Sequence, residues 1–232
     1  MTAEIKPEAE TCIPVFEPSP NFQPLPHLPL NEGQQQKLEA LRAHIVPQLL
    51  PHTDEYHERE KAFLSDSTLQ RYLRARKWDL EGAKKQLDGS IQWRRSYKPD
   101  MIDPKEVEPE VEPRLILANV IPQSLTGKTY LNGFDKYGRP TLHLKPRNEN
   151  TKPSTLQIRN VVFNLERAAC IMPEGVETLN IIVDMAGSSS TTSPGIGIAK
   201  QFLDVLGNHY PERLGVAFVV HCEFWCTIWP VP

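Results

Sequence analysis

The spacing of apolar positions along this chain shifts from helical to alternating and back, and each shift marks an element. From Gln34, the residues Leu38, Leu41, Ile45 and Leu49 recur at steps of three and four, the stripe of an amphipathic helix that Pro47 must kink or end. After a polar stretch from His52 to Lys61, Leu69, Tyr72 and Leu73 open a second helical stripe, with Asp66 and Ser67 as candidate N-caps. Its opposite face carries Arg71, Arg74, Arg76 and Lys77. Asp79 offers a further cap, and Leu80, Ala83, Leu87 and Ile91 form a third stripe ending near Trp93-Arg94-Arg95. Alternation then takes over. Lys128 to Phe134 and Thr141 to Lys145 form two strands of a hairpin around the turn Asp135 to Pro140, in which Gly138 is free to take positive φ. A helix follows from Ser154, with Leu156, Val161 or Val162, Leu165, Ala168 and Ala169 on one side, stopped by Pro173 and Gly175.

Leu179 to Met185 is a short run rich in β-branched residues, the mark of a parallel strand buried on both faces. A Gly/Ser/Thr/Pro loop from Gly187 to Gly197 leads to a helical stripe of Ile198, Phe202, Val205 and Leu206, and Tyr210-Pro211 ends it. Leu214 to Val220 is a second apolar run of strand length. Strand, crossover helix and strand make a βαβ unit, so the second half is expected to be α/β. The competing reading is two buried helical segments, since periodicity does not separate short apolar runs.

Around these elements the chain divides into five stretches. Residues 1–33 are a proline-rich arm, expected to be disordered or to lie along the surface through Phe16, Phe22 and Leu28. Residues 34–98 are a helical domain. Residues 99–113, alternating Pro and Glu, are a linker. Residues 114–221 hold the α/β domain, and 222–232 are a tail.

The 232 residues suffice for a sizeable core, and a net charge of −3 points to neither nucleic acid nor an acidic substrate. No stretch approaches the roughly 18 consecutive apolar residues of a membrane span. The N-terminus is acidic and polar, unlike a signal peptide. Cys12, Cys170, Cys222 and Cys226 lack a metal-ligand or disulfide-framework spacing, so reduced thiols and a cytoplasmic location are expected, with no metal site. Locally the balance differs: between Asp66 and Lys98 there are nine basic residues against four acidic. Such a face is either solvated or a contact for an anion or membrane surface.

No phosphate-binding loop, zinc-protease or nucleophile-elbow motif is present. Asp184 stands at the carboxyl end of a central strand, where α/β sheets place functional groups, but without an acid/base partner in sequence it reads as a capping aspartate. His143 and His221 are single histidines near strand ends. No enzyme chemistry is assigned.

Three blocks carry a resemblance. Leu69-Gln70-Arg71-Tyr72-Leu73-Arg74-Ala75-Arg76-Lys77-Trp78-Asp79, Phe134-Asp135-Lys136-Tyr137-Gly138-Arg139-Pro140 and Asn208-His209-Tyr210-Pro211-Glu212-Arg213-Leu214-Gly215 resemble, in that order, segments of the CRAL-TRIO lipid-transfer family, and within it the fungal phosphatidylinositol transfer proteins. The resemblance implies an α/β fold: a helical N-terminal prefix followed by a mixed-sheet lipid-binding domain beneath a movable helical gate. It implies a non-catalytic carrier that binds phosphatidylinositol, or another phospholipid, and exchanges it between membranes. No cofactor is implied beyond the bound phospholipid. The implied partners are that lipid and, transiently, membrane surfaces, with the chain a monomer, cytoplasmic and peripherally membrane-associated. The implied lipid-binding residues are Arg76 and Lys77, a basic pair suited to a phosphodiester, and Glu212, a carboxylate able to accept from inositol hydroxyls. A carrier of a sterol or other lipophile, or a scaffold that binds no lipid, is the alternative. The sequence from Cys222 departs from the family pattern. The domain is therefore expected to be incomplete at its C-terminus, and the chain alone to be aggregation-prone.

Overall fold

The computed structural model describes residues 15–26, 28–107, 126–151, 154–189, 191–193 and 195–222. The first residues of the arm, the acidic end of the linker and the tail from 223 lie outside the described residues, and with them Cys12 and Cys226.

The prefix contains four helices: α1 (Glu32–Ile45), α2 (His57–Phe63), α3 (Asp66–Ala75) and α4 (Leu80–Tyr97). Asn31 starts α1 with a capping box: its side chain accepts from the Gln34 N–H at 2.9 Å, and the Gln34 side chain accepts from the Asn31 N–H at 3.1 Å. Pro47 falls in a 3-10 turn (Val46–Gln48) that ends the helix. The cap of α3 is Ser65, whose hydroxyl accepts from the Thr68 N–H, and not Asp66 or Ser67. Asp66 lies in the first turn instead and pairs with Arg42. Leu38, Leu41, Ile45, Leu69, Tyr72, Leu73, Ala83, Leu87 and Ile91 meet in one buried cluster, as their spacing predicts.

The second half contains β1 (Thr129–Phe134), β2 (Pro140–Leu144), α5 (Thr155–Ile171), β3 (Leu179–Asp184), α6 (Ile196–His209) and β4 (Leu214–Val220). The strands form one mixed sheet in the order β1-β2-β3-β4. β1 and β2 are the antiparallel hairpin; β2–β3 and β3–β4 are parallel, with Ile181 beside Leu142 on one side and Ala217 on the other. The fold is α/β with a helical N-terminal prefix, and the two apolar runs are strands, not helices.

Three expectations are decided or changed. The arm from residue 15 is placed on the domain: the Gly133 N–H donates to the Val15 carbonyl at 3.0 Å, and the Gln23 N–H to that of Lys136 at 3.3 Å. Phe22 lies on Gly138, where a Cβ would come within 2.5 Å of its ring, so a glycine with φ +76° is required there. Phe16 and Leu28, expected as anchors, are exposed. Residues 99–107 are also no free linker. They fold into two 3-10 turns (Pro99–Met101 and Pro104–Val107) that bury Ile102 and Val107 against Ile158 and Val162 of α5. The third change concerns the thiols: Cys170 is free, but Cys222 is disulfide-bonded.

Helix α4 joins the two halves. Trp93 stacks on His209 with ring centroids 4.2 Å apart. Arg94 donates two hydrogen bonds to Glu166 of α5, at 2.9 and 3.1 Å, and Tyr210 donates to the same carboxylate at 2.6 Å. Two buried side chains and a partly buried carboxylate thus satisfy one another across the junction.

Candidate functional site

Helix α3 ends in an unusual way. The Lys77 N–H returns to the Arg74 carbonyl and the Trp78 N–H to that of Leu73 (2.9 and 2.7 Å), which turns Lys77 and Trp78 left-handed at φ 51° and 65°. Trp78 packs onto the prefix core and so fixes the turn. The Tyr210–Arg213 turn behaves alike, with Glu212 at φ 57°. Left-handed backbone costs a side-chain-bearing residue about 1–3 kcal/mol and persists only where the surroundings impose it.

Here the surroundings are each other. The Arg71 guanidinium donates to the Pro211 carbonyl (3.2 Å) and to the Thr68 hydroxyl (2.8 Å), and the Tyr72 hydroxyl donates to the His209 carbonyl (3.3 Å). From α4, the Gln86 amide donates to the carbonyls of Gly207 and Asn208. The 69–79 and 208–215 blocks are thereby clamped together. Arg71, expected on a face that is either solvated or a contact for an anion or membrane surface, is 2% exposed and belongs to this clamp. Burial, then the nearby Arg213 charge, lowers its affinity for its proton.

The expected site residues do not all meet. Arg76 and Lys77 are exposed at the end of α3, and the Arg76 Nε donates to Gln86 at 2.8 Å. Glu212, with a side chain 46% exposed, has Arg74 as its neighbour at 4.0 Å. Arg74 is also ion-paired to Glu177, which sequence reasoning missed because it belongs to no motif. Of the basic residues between Asp66 and Lys98, Arg74, Lys84, Arg94, Arg95 and Lys98 each have a carboxylate partner. Arg76 and Lys77 have no ion pair among the described residues and lie adjacent.

Beside this junction runs a cleft of about 610 Å³. Arg74, Gln70 and Trp78 form one wall, Tyr137 and Arg139 of the hairpin turn and Glu177 another, and Glu212 lies at its border. Leu25, Pro26 and Leu28 to Asn31 of the arm also line it. Arg139 is held by Asp135 (2.6 Å) and lies over Gly215, where a Cβ would come within 2.9 Å of its guanidinium. Burial raises the Asp135 pKa, but hydrogen bonds from Asn180, Arg139 and Tyr137 outweigh it, and the carboxylate stays ionised below its ordinary range. The hairpin block thus lies directly against the third resemblance block at Gly215.

The other candidates are structural. Asp184 pairs with Arg147 (2.6 Å) and His221 (2.8 Å) and accepts from the Ala186 N–H, which depresses its pKa. His143 donates to the Asn132 carbonyl and stacks on Tyr130. A different surface is apolar: Ile196 and Leu203 of α6 and Phe218 and Val219 of β4 are 82, 42, 51 and 45% exposed. Among the described residues, no helix is long and apolar enough to cross a membrane.

Comparison with known proteins gives these elements a common origin. Residues 125–229 match the CRAL/TRIO domain, and residues 37–89 match CRAL/TRIO, N-terminal domain. The first match runs past residue 221, where the sequence reading ended the domain. The CRAL-TRIO domain-containing protein C23B6.04c of Schizosaccharomyces pombe is 42% identical over 172 residues, 74% of this chain and 16% of its own length. The phosphatidylinositol transfer protein PDR17 of Saccharomyces cerevisiae is 31% identical over 216 residues, 85% of this chain and 60% of its own length. The chain thus spans less than two thirds of either relative. The crystal structure of Sfh5 superposes with a TM-score of 0.57 over 83% of this chain and 72% of its own, at 14% identity, a likeness of fold.

Proposed function

We propose that this chain, which belongs to the CRAL-TRIO domain family, is a non-catalytic carrier that binds phosphatidylinositol and exchanges it between membrane surfaces. The observation that carries this reading is the adjacent pair Arg76 and Lys77 at the end of α3, exposed and, among the described residues, without an ion-paired carboxylate. Among the described residues of that stretch, Arg71 is buried, Arg74, Lys84, Arg94, Arg95 and Lys98 are ion-paired, and Lys85 is a single exposed cation, so this pair is the one place where two adjacent exposed cations stand ready for an outside anion. A phosphodiester suits it, through charge-assisted hydrogen bonds. Glu212, turned outward by its left-handed backbone, can accept from inositol hydroxyls in the same neighbourhood.

The lipid's chains need apolar surface, and the exposed Ile196, Leu203, Phe218 and Val219 supply some. Each methylene transferred from water contributes about 0.8 kcal/mol, which suffices to hold two acyl chains against release. The name of the yeast relative, a phosphatidylinositol transfer protein, supports the headgroup assignment. A cytoplasmic carrier that touches membranes from outside fits the lack of any spanning helix among the described residues.

The test is lipid loading. The purified chain is equilibrated with vesicles of phosphatidylinositol and phosphatidylcholine, and its bound lipid is extracted and identified by mass spectrometry. The double variant Arg76→Ala/Lys77→Ala is expected to lose about tenfold in phosphatidylinositol loading, on the order of 1.4 kcal/mol, and to keep phosphatidylcholine. Glu212→Ala is expected to act in the same direction. Equal loss of both lipids would assign the pair to folding or general membrane contact, and a sterol in the extract would replace the phospholipid reading.

A further inference from the structure

We propose that His52, His57 and Glu58, at the turn leading into α2, form a binding site for a divalent first-row transition ion of the Zn²⁺ class. Among the described residues, one atom from each of these three side chains lies within 4.8 Å of the other two. The His57 Nε2 is 3.6 Å from a Glu58 carboxylate oxygen, and the two imidazole rings have centroids 4.1 Å apart.

The decisive residue is His57. It is 4% exposed, and its Nδ1 lies 2.6 Å from the Leu50 carbonyl. A carbonyl can only accept, so Nδ1 carries the proton and the lone pair is left on Nε2. That nitrogen is buried and has no hydrogen-bond partner among the described residues. A buried acceptor without a partner costs about 1–3 kcal/mol, which a ligated cation would remove. An imidazole whose other nitrogen donates to a backbone carbonyl is also the usual arrangement for a metal-ligating histidine, because that bond fixes both tautomer and ring orientation.

The geometry needs little change. Ligand atoms about 2.0–2.2 Å from a tetrahedral ion stand roughly 3.3 Å apart. His57 and Glu58 are near that separation already. His52 and Glu58 are exposed and can swing by the remaining ångström, while His57 stays fixed. The turn itself is held by the Asp54 side chain, which accepts from the Tyr56 N–H at 2.8 Å. Arg59, the neighbouring cation in sequence, is directed towards Asp100, and Arg95 is engaged by Glu60. Two imidazoles and one carboxylate favour Zn²⁺ and its neighbours over Mg²⁺ or Ca²⁺, which take oxygen ligands, and water would complete the shell. Such an ion would tie the 51–56 turn to the first turn of α2, away from the cleft and from Arg76, Lys77 and Glu212.

The test is equilibrium dialysis of the full chain against ZnCl₂, with MgCl₂ in parallel and bound metal read by mass spectrometry. One Zn²⁺ per chain is expected, with no comparable Mg²⁺ binding. His52→Ala and Glu58→Gln change exposed side chains and should each weaken Zn²⁺ binding by about tenfold or more, with an unchanged circular-dichroism spectrum. His57→Gln, which keeps a donor for Leu50, should abolish the site. Because that buried change can disturb folding, the two exposed variants decide. Absence of Zn²⁺ binding, or binding that both exposed variants leave unaltered, overturns the proposal.

Discussion

In the helical prefix, Leu41, Tyr72, Leu73 and Leu87 are fully enclosed; in α6 and β4, a similar set of residues lies half in the open. Leu206 is buried, yet Ile196 and Leu203 on the same helix are not, and Phe218 and Val219 face out from successive positions of β4. Successive strand residues point to opposite faces, so β4 offers apolar surface on both. Both regions carry the same kind of apolar pattern in sequence. In the prefix that pattern makes a core; in α6 and β4 much of it remains free for contact with something apolar. The prefix is thus a finished scaffold, and the α6–β4 surface is where a lipid reading finds its material.

The largest expected effect breaks the comparison if it is wrong. Leu73→Ala should destabilise the chain by about 3–4 kcal/mol, because a buried leucine leaves a cavity that tight helix packing cannot close. Phe218→Ser should change stability by less than about 1 kcal/mol, as exposed substitutions do, while lowering lipid loading. Urea unfolding of the two variants checks this directly. Equal destabilisation would show that β4 is core after all.

A smaller effect tests how the regions are joined. Burial disfavours the charged Arg94, but Glu166 outweighs it and keeps the guanidinium firmly protonated. Glu166→Ala would leave that charge buried, with the Tyr210 hydroxyl losing its acceptor, at a cost of about 3 kcal/mol. Because the pair bridges α4 and α5, the variant should also uncouple the halves. Near-ultraviolet signals from Trp93 and far-ultraviolet helix signals should then unfold at different urea concentrations. Coincident transitions would mean that the apolar stacking on Trp93 suffices to couple them.

How far the sequence disclosed this arrangement depends on the range of the interaction. Stripes, capping signals and the βαβ unit are local patterns, and they give the helices and strands nearly as observed. Ser65 was missed as a cap because Asp66 and Ser67, equally good cap residues, follow it at once. Arg71 reads in sequence as an outward-facing cation because its partner, the Pro211 carbonyl, lies far along the chain and any backbone oxygen would serve. Glu177 and Arg74 meet for the same reason, with no motif to announce them. The arm's docking rests on Phe22 against Gly138, a contact in which each residue alone suggests only an apolar side chain and a turn. Arg76, Lys77 and Glu212 were legible through resemblance, but that the first two escape ion pairing emerges only when every neighbouring carboxylate is located.

The last prediction concerns pH and the junction itself. Burial, followed by the Arg94 charge, pushes the His209 pKa down from 6.5 to about 4. The groups around the ring are Trp93, stacked on it, Ser90 at 3.2 Å from its Nδ1, and Arg94; none is a carboxylate that could welcome a proton. The unfolded chain therefore binds a proton at His209 between pH 6.5 and 4 that the folded chain refuses, so stability falls as pH falls through that window and levels off below it. For a half-buried group the loss between pH 7 and 5 is about 1–2 kcal/mol. His143, lowered by burial, adds in the same direction. Asp135, Glu149 and Asp184 have depressed values, so their contributions are lost at lower pH, below the ordinary carboxylate range. Urea midpoints at pH 7, 6 and 5 should therefore decline in the wild type and decline less in His209→Phe, which keeps the stack on Trp93 without the titrating nitrogen. An equal decline in both would move the pH sensitivity away from the junction, and the two halves would then respond to acid independently.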